Sequence, residues 1–158
     1  NNKGARSKMK EGIRIKNMYE TTDDPNTKRN LWGREIYPRC MYNTLMEIKN
    51  KYRDLPVYIT ENGHGMYEEA DENGYVVDDA RIEMMQGYID FMFKAMEDGC
   101  DVRGYYAWSS MDLYSWVNGY EKRYGLVRVD FDNDNKRIPK KSYYWFKNLI
   151  EKYQKENS

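Results

Sequence analysis

A chain of 158 residues with 26 Lys and Arg against 26 Asp and Glu has no formal net charge, which argues against a nucleic-acid surface built on a broad positive field. A hydrophobic share of 40 % is enough for one globular domain and too much for a disordered chain. No apolar run is long enough for a transmembrane helix, and the start carries no signal-peptide pattern.

Aromatic residues make up 15 %, with Tyr the commonest, and ordinary core filling accounts for most of the tyrosines. Cys40 and Cys100 lie far apart and in no metal-ligand spacing. Reduced thiols in a cytoplasmic protein fit that usage, with one disulfide as the alternative. The sequence begins with Asn1 and a polar loop, and it reads like the tail of something longer.

Residues 1–34 are polar and charged, with Pro25 and basic residues Lys3, Arg6, Lys8, Lys10, Arg14 and Lys16, and they predict mostly loop. From Pro38 to about Lys51, Met41, Leu45 and Ile48 recur at helical spacing, and Pro38 suits a first turn. Val57-Tyr58-Ile59-Thr60 predicts a buried strand ending at Glu61-Asn62-Gly63. After an acidic stretch with a turn at Asn73-Gly74, Asp78-Asp79 starts a helix whose stripe is Ile82, Met85, Ile89, Met92 and Met96. Gly99 closes it.

Val102 to Trp108 predicts a second strand, apolar or aromatic along most of its length, as for a parallel strand covered on both faces. Gly125 to Asp130 predicts another short strand. Residues 140–155 predict a closing amphipathic helix with Tyr144, Phe146, Leu149 and Ile150 available for burial. Strands alternating with helices imply parallel βα units and an α/β fold. Two such units do not close a sheet, and a complete (β/α)8 barrel needs about 250 residues, so this chain could supply only part of one.

Glu61, in Tyr58-Ile59-Thr60-Glu61-Asn62-Gly63, is the first candidate for chemistry. An acidic residue at the C-terminal end of a parallel strand sits where barrel enzymes place catalytic groups. A structural ion pair or a helix cap is the alternative at this level. His64, the only histidine, follows the Glu61 motif and is assigned no role.

The Glu61 segment resembles the nucleophile motif of family 1 glycoside hydrolases. Glu35-Ile36-Tyr37-Pro38, Asp78-Asp79-Ala80-Arg81, Tyr106-Ala107-Trp108-Ser109-Ser110-Met111-Asp112 and Gly119 to Leu126 match further family segments in order, over nearly all of residues 32–150. The resemblance implies that residues 1–158 are the C-terminal portion of a single (β/α)8 TIM barrel, with 35–158 the last two βα units and the closing helix. It also implies a retaining β-glycosidase with Glu61 as nucleophile and Trp108 as the apolar platform under the sugar. Such a two-carboxylate mechanism requires no metal and no organic cofactor.

Members acting on unphosphorylated sugars usually carry Glu-Trp after the Asp, whereas here the pair is Ser115-Trp116. The subgroup acting on 6-phospho-β-glycosides holds the phosphate with a Ser, a Lys and a Tyr, and Ser115, Lys122 and Tyr124 fall on those positions. A glutamate there would repel a phosphate dianion, whereas a hydroxyl, an ammonium and a phenol donate to it. Trp116 is similar to what 6-phospho-β-galactosidases show and leans the reading toward the galacto configuration. The implied partner is a phosphorylated disaccharide or aryl β-glycoside, and phosphorylated sugars imply a cytoplasmic enzyme.

The family's acid/base segment, a Thr-Phe/Leu-Asn-Glu-Pro-like stretch on an earlier strand, does not occur here, nor do its early glycone-binding residues. Cys40 also stands where the family more often has glycine. The expectation is that this chain alone has little activity, and that its open half-barrel needs the preceding barrel portion or associates with itself. The competing readings are a β-glucosidase acting on plain sugars, and an inactive truncated fragment or sugar-phosphate binding module.

Overall fold

The computed structural model describes residues 14–15, 18–20, 25–30, 33–52 and 55–156. Residues 1–37 and 38–158 form separate units. In the first, β1 (Arg14–Ile15) pairs antiparallel with β2 (Tyr19–Glu20). Further along, Arg29 and Glu35 form an isolated bridge, closed by the Arg29 guanidinium donating to the Glu35 carboxylate at 2.6 Å. The predicted loop over 1–34 therefore holds short paired segments, while Lys3, Arg6, Lys8, Lys10 and Lys16 lie outside the described residues.

The second unit starts with α1 (Arg39–Tyr52), entered through Pro38 as the sequence predicts. Strand β3 (Val57–Asn62) follows, then α2 (Asp79–Glu97) and β4 (Val102–Ala107). β3 and β4 pair in parallel, with Val57 opposite Val102 and Asn62 opposite Ala107. An intervening helix makes that direction possible, because a parallel pair needs a long crossover. α2 ends with Cys100 N–H donating to the Ala95 carbonyl at 2.9 Å and Gly99 N–H to Met96 at 2.9 Å, the Schellman pattern expected around Gly99.

The core lies between this sheet and its helices. Leu45, Ile89, Met92, Ala95 and Cys100 are buried, with Val57, Ile59, Val102, Tyr105, Phe146 and Leu149 packed against them. Each fully buried aliphatic side chain contributes about 1.5–3 kcal/mol. Along β3, Val57 and Ile59 are half-buried, whereas Tyr58 and Thr60 are exposed. Tyr106 on β4 is exposed as well. Among the described residues, helices cover one face of the sheet, and Tyr58, Thr60 and Tyr106 lie on the other.

The short strand predicted over 125–130 is β5 (Val127–Asp130), and it is not a further parallel strand. It forms an antiparallel hairpin with β6 (Lys136–Pro139), which sequence reading missed. The turn places Asp134 and Asn135 at φ 49° and 52°, a backbone region that Asp and Asn tolerate better than most residues. The closing helix α3 (Lys141–Glu156) packs through Trp145, Phe146 and Leu149. Tyr144 and Ile150, expected to be buried, are exposed. Cys40 and Cys100 are not joined by a disulfide.

Candidate active site

Glu61 sits in the last turn of the β3 pleat, exposed at the C-terminal end of the strand. No hydrogen bond or ion pair engages its carboxylate among the described residues, so the alternative of a structural ion pair finds no partner there. Its neighbour is fixed instead. Tyr105 on β4 donates its hydroxyl to Asn62 Oδ1 at 2.8 Å, and Trp108 N–H donates to the Asn62 carbonyl at 2.8 Å. Burial pushes the Tyr105 phenol well above its ordinary range, which keeps it neutral and a donor.

These bonds draw the ends of β3 and β4 together so tightly that residue 63 has no room for a side chain. A Cβ on Gly63 would lie 1.9 Å from the Trp108 carbonyl oxygen. Trp108 itself, just beyond β4, is 39 % exposed and is joined to Ser109 by a cis peptide bond.

The chain then returns to this end of the sheet twice. Ser109 N–H donates to the Tyr124 carbonyl at 3.0 Å. Met66 and Arg123 exchange backbone bonds of 2.8 and 3.1 Å, so the loop leaving Glu61 pairs with the segment carrying Lys122 and Tyr124. Gly65 permits that approach, since a Cβ there would stand 2.9 Å from Lys122 Cβ and 2.9 Å from the Tyr124 ring.

Ser115 and Trp116 lie on a tight turn closed by reciprocal backbone bonds between Ser115 and Gly119, at 2.8 and 2.7 Å. Asn118 Nδ2 reaches Ser115 Oγ at 3.2 Å and the Tyr124 hydroxyl at 3.5 Å. Ser115 and Tyr124 are therefore gathered around one amide, and Lys122 lies beside Tyr124 across Gly65. Trp116 projects from the turn and is 95 % exposed among the described residues.

The largest surprise is a buried web of charge beneath these loops. Arg81 is 1 % exposed on the first turn of α2. It donates to the carbonyls of His64 and Tyr124 at 3.0 Å each, to Arg123 at 2.9 Å, to Asp78 at 2.9 Å, and to Glu68. Lys140, also buried, bridges Glu68 at 2.5 Å and Asp112 at 2.9 Å. Asp112 in turn accepts from Gly125 N–H at 2.9 Å and Val129 N–H at 3.3 Å. Burial raises the Glu68 carboxyl against the pull of Arg81 and Lys140.

The sequence reading attached Asp78 and Asp112 to family segments but gave neither a partner. The helix does start at Asp79, yet Asp78 makes no capping bond. Its carboxylate accepts from Arg81 and from Ser142, N–H at 2.9 Å and Oγ at 2.6 Å. One signal was present: Arg81 precedes Met85, Tyr88 and Met92 at helical spacing, so it falls on the buried stripe of α2. A charge in that register needs fixed partners.

A cavity of about 350 Å³ opens elsewhere, between α2, β4 and α3, lined by Met92, Phe93, Tyr105, Phe146, Leu149 and Tyr153 among others. None of the sequence-predicted site residues lines it.

With this geometry in hand, comparison with known proteins is informative. The family profile described as "Glycosyl hydrolase family 1" matches residues 1–155. The chain is 43 % identical over 152 residues to a protein of Streptococcus mutans named "6-phospho-beta-galactosidase", covering 96 % of this chain and 32 % of that protein. It is also 43 % identical over 138 residues to the "6-phospho-beta-galactosidase" of Leptotrichia buccalis, covering 87 % of this chain and 29 % of that protein. Among solved structures, the family 1 b-glucosidase from Thermotoga maritima superposes with a TM-score of 0.79 at 36 % identity, covering 84 % of this chain and 30 % of that one. The chain therefore spans about a third of the length of the curated relatives it matches.

Proposed function

The chain belongs to glycosyl hydrolase family 1, and from that premise we propose that it is the C-terminal portion of a (β/α)8 barrel that hydrolyses 6-phospho-β-glycosides with retention. In this reading Glu61 attacks the anomeric carbon and the aglycone leaves, giving a glycosyl ester that water then hydrolyses. A second carboxyl group, about 5–5.5 Å from the first, protonates the leaving oxygen and then activates the water. That group is proposed to come from the part of the family fold that this chain does not span. Trp108 lies under the sugar ring, and Ser115, Lys122 and Tyr124 hold the phosphate.

The observation that carries the reading is the Met66–Arg123 pairing. It sets the segment bearing Lys122 and Tyr124 against the loop that leaves Glu61, so a phosphate and an anomeric carbon of one sugar can be served by one end of the sheet. The names of the curated relatives support the phosphorylated substrate, and Trp116 supports the galacto form over the gluco form. Sugar phosphates do not cross membranes freely, so the proposed site of action is the cytoplasm.

Hydrolysis of plain β-glucosides is the second reading, favoured by the solved neighbours, which are described as β-glucosidases. Turnover of nitrophenyl 6-phospho-β-galactoside, 6-phospho-β-glucoside and their unphosphorylated counterparts decides between them. The assay compares this chain with a version extended upstream to the family's full length. Preference of the extended version for phosphorylated substrates, lost on Glu61→Gln, supports the proposal. Cleavage of plain glycosides alone overturns the roles of Ser115, Lys122 and Tyr124.

A further inference from the structure

Asn118 was not singled out in the sequence, yet it stands between two of the proposed phosphate ligands. Its backbone N–H points at Ser115 Oγ, 3.4 Å away, and its side-chain Nδ2 reaches the same oxygen at 3.2 Å. The same Nδ2 reaches the Tyr124 hydroxyl at 3.5 Å. Ser115, Asn118 and Tyr124 are all partly buried.

The consequence follows from counting protons. An amide nitrogen carries two hydrogens and offers no acceptor, whereas each hydroxyl has one hydrogen and two lone pairs. Ser115 Oγ accepts from two N–H groups of Asn118, and the Tyr124 oxygen accepts from one. Neither hydroxyl can give its hydrogen back to that nitrogen. Both hydrogens are left to point at something else that accepts.

We propose that Asn118 is a positioning residue that turns the Ser115 and Tyr124 hydroxyls into committed donors toward a phosphate monoester dianion. The proposal rests on the phosphate reading above and adds to it. Left to themselves, hydroxyls rotate and can donate or accept, and a dianion gains only from donors. The amide removes that freedom before the ligand arrives, so no reorientation is needed on binding. The tight Ser115–Gly119 turn holds Asn118 in place while leaving Trp116 and Val117 exposed at its tip.

The test uses the version extended to the family's full length and follows nitrophenyl 6-phospho-β-galactoside. Asn118→Asp keeps the shape but replaces the donor with a charged acceptor, which draws the hydroxyl hydrogens inward and repels the dianion. KM is expected to rise on the order of tenfold for Asn118→Asp and ~3-fold for Asn118→Ala, with the loss in KM rather than kcat. Should Asn118→Ala fail to fold, the isosteric Asn118→Asp carries the test. Ser115→Ala and Lys122→Ala serve as references. If these two raise KM while Asn118→Asp matches the parent, the positioning role is wrong and the phosphate site stands. A fall in kcat with KM unmoved marks Asn118 as a turn residue only and also overturns the proposal. If the references leave KM unchanged, or the extended version does not hydrolyse this substrate, the phosphate reading fails and takes the Asn118 role with it.

Discussion

Arg81 donates to the backbone carbonyl of Tyr124 at 3.0 Å from a position 43 residues earlier in the chain. The same guanidinium holds the carbonyls of His64 and Arg123, so one buried cation fixes both loops of the candidate site. A planar group with five donors suits this task, and lysine cannot reproduce it.

Arg81→Ala strips Glu68 and Asp78 of their shared partner and removes one donor each from the carbonyls of His64, Arg123 and Tyr124. The expected loss is about 3–5 kcal/mol of stability, the range for breaking a buried charge network by removing one member. Urea unfolding of the 158-residue chain measures it. Arg81→Lys should recover only part of the loss, and a variant as stable as the parent would show that the web does not hold the loops.

Gly63→Ala places a methyl group where the Trp108 carbonyl oxygen already lies, 1.9 Å from the new Cβ. The ends of β3 and β4 must then part, at about 1–3 kcal/mol. Thermal unfolding reports the cost. The indole emission of Trp108 should shift as well, an effect that a distant destabilising substitution would not produce.

Glu61→Gln should act in the opposite way. The carboxylate is exposed and unengaged among the described residues, so stability should stay within about 0.5 kcal/mol of the parent. In the extended version kcat should fall by at least ~10³-fold, as removal of a nucleophile requires. A large stability change with activity retained would return Glu61 to a structural role.

Leu45→Ala removes a buried side chain of α1 from the heart of the core and should cost about 2–5 kcal/mol. Tyr144→Ala, at a position expected from the sequence to be buried but found exposed, should change little. Chemical denaturation of the two variants side by side tests the observed packing of the helices.

Tyr42 donates its hydroxyl to Asp98 Oδ2 at 2.7 Å, and this bond is the chief reason the Asp98 carboxyl lies below its ordinary value, with Lys94 and Lys49 adding to it. A carboxyl depressed in the folded state adds stability above its unfolded pKa and loses it as pH falls through the folded one. Tyr42→Phe should move the Asp98 midpoint up toward the ordinary carboxylate range and flatten the loss of stability in acid. A carbon-detected NMR titration of Asp98 follows the midpoint directly. An unmoved midpoint would assign the depression to the lysines instead.

Much of this protein is local, and the sequence alone determined that part. Helical spacing marked α1, α2 and α3, β-branched and aromatic residues marked β3 and β4, and the Glu61 segment identified the family and its nucleophile candidate. Each of these signals lies within one element, where side-chain period reports directly on which face is buried. The tertiary structure decided the rest. Arg81 and Tyr124 are 43 residues apart, and Asp78 and Ser142 are 64 apart, so no periodicity connects them. The β5–β6 hairpin was hidden by its charged residues, and Asn118 looked like any turn residue until the fold brought Tyr124 to its amide. A buried charge is tolerated only where partners from several elements converge, and convergence is a property of the folded chain.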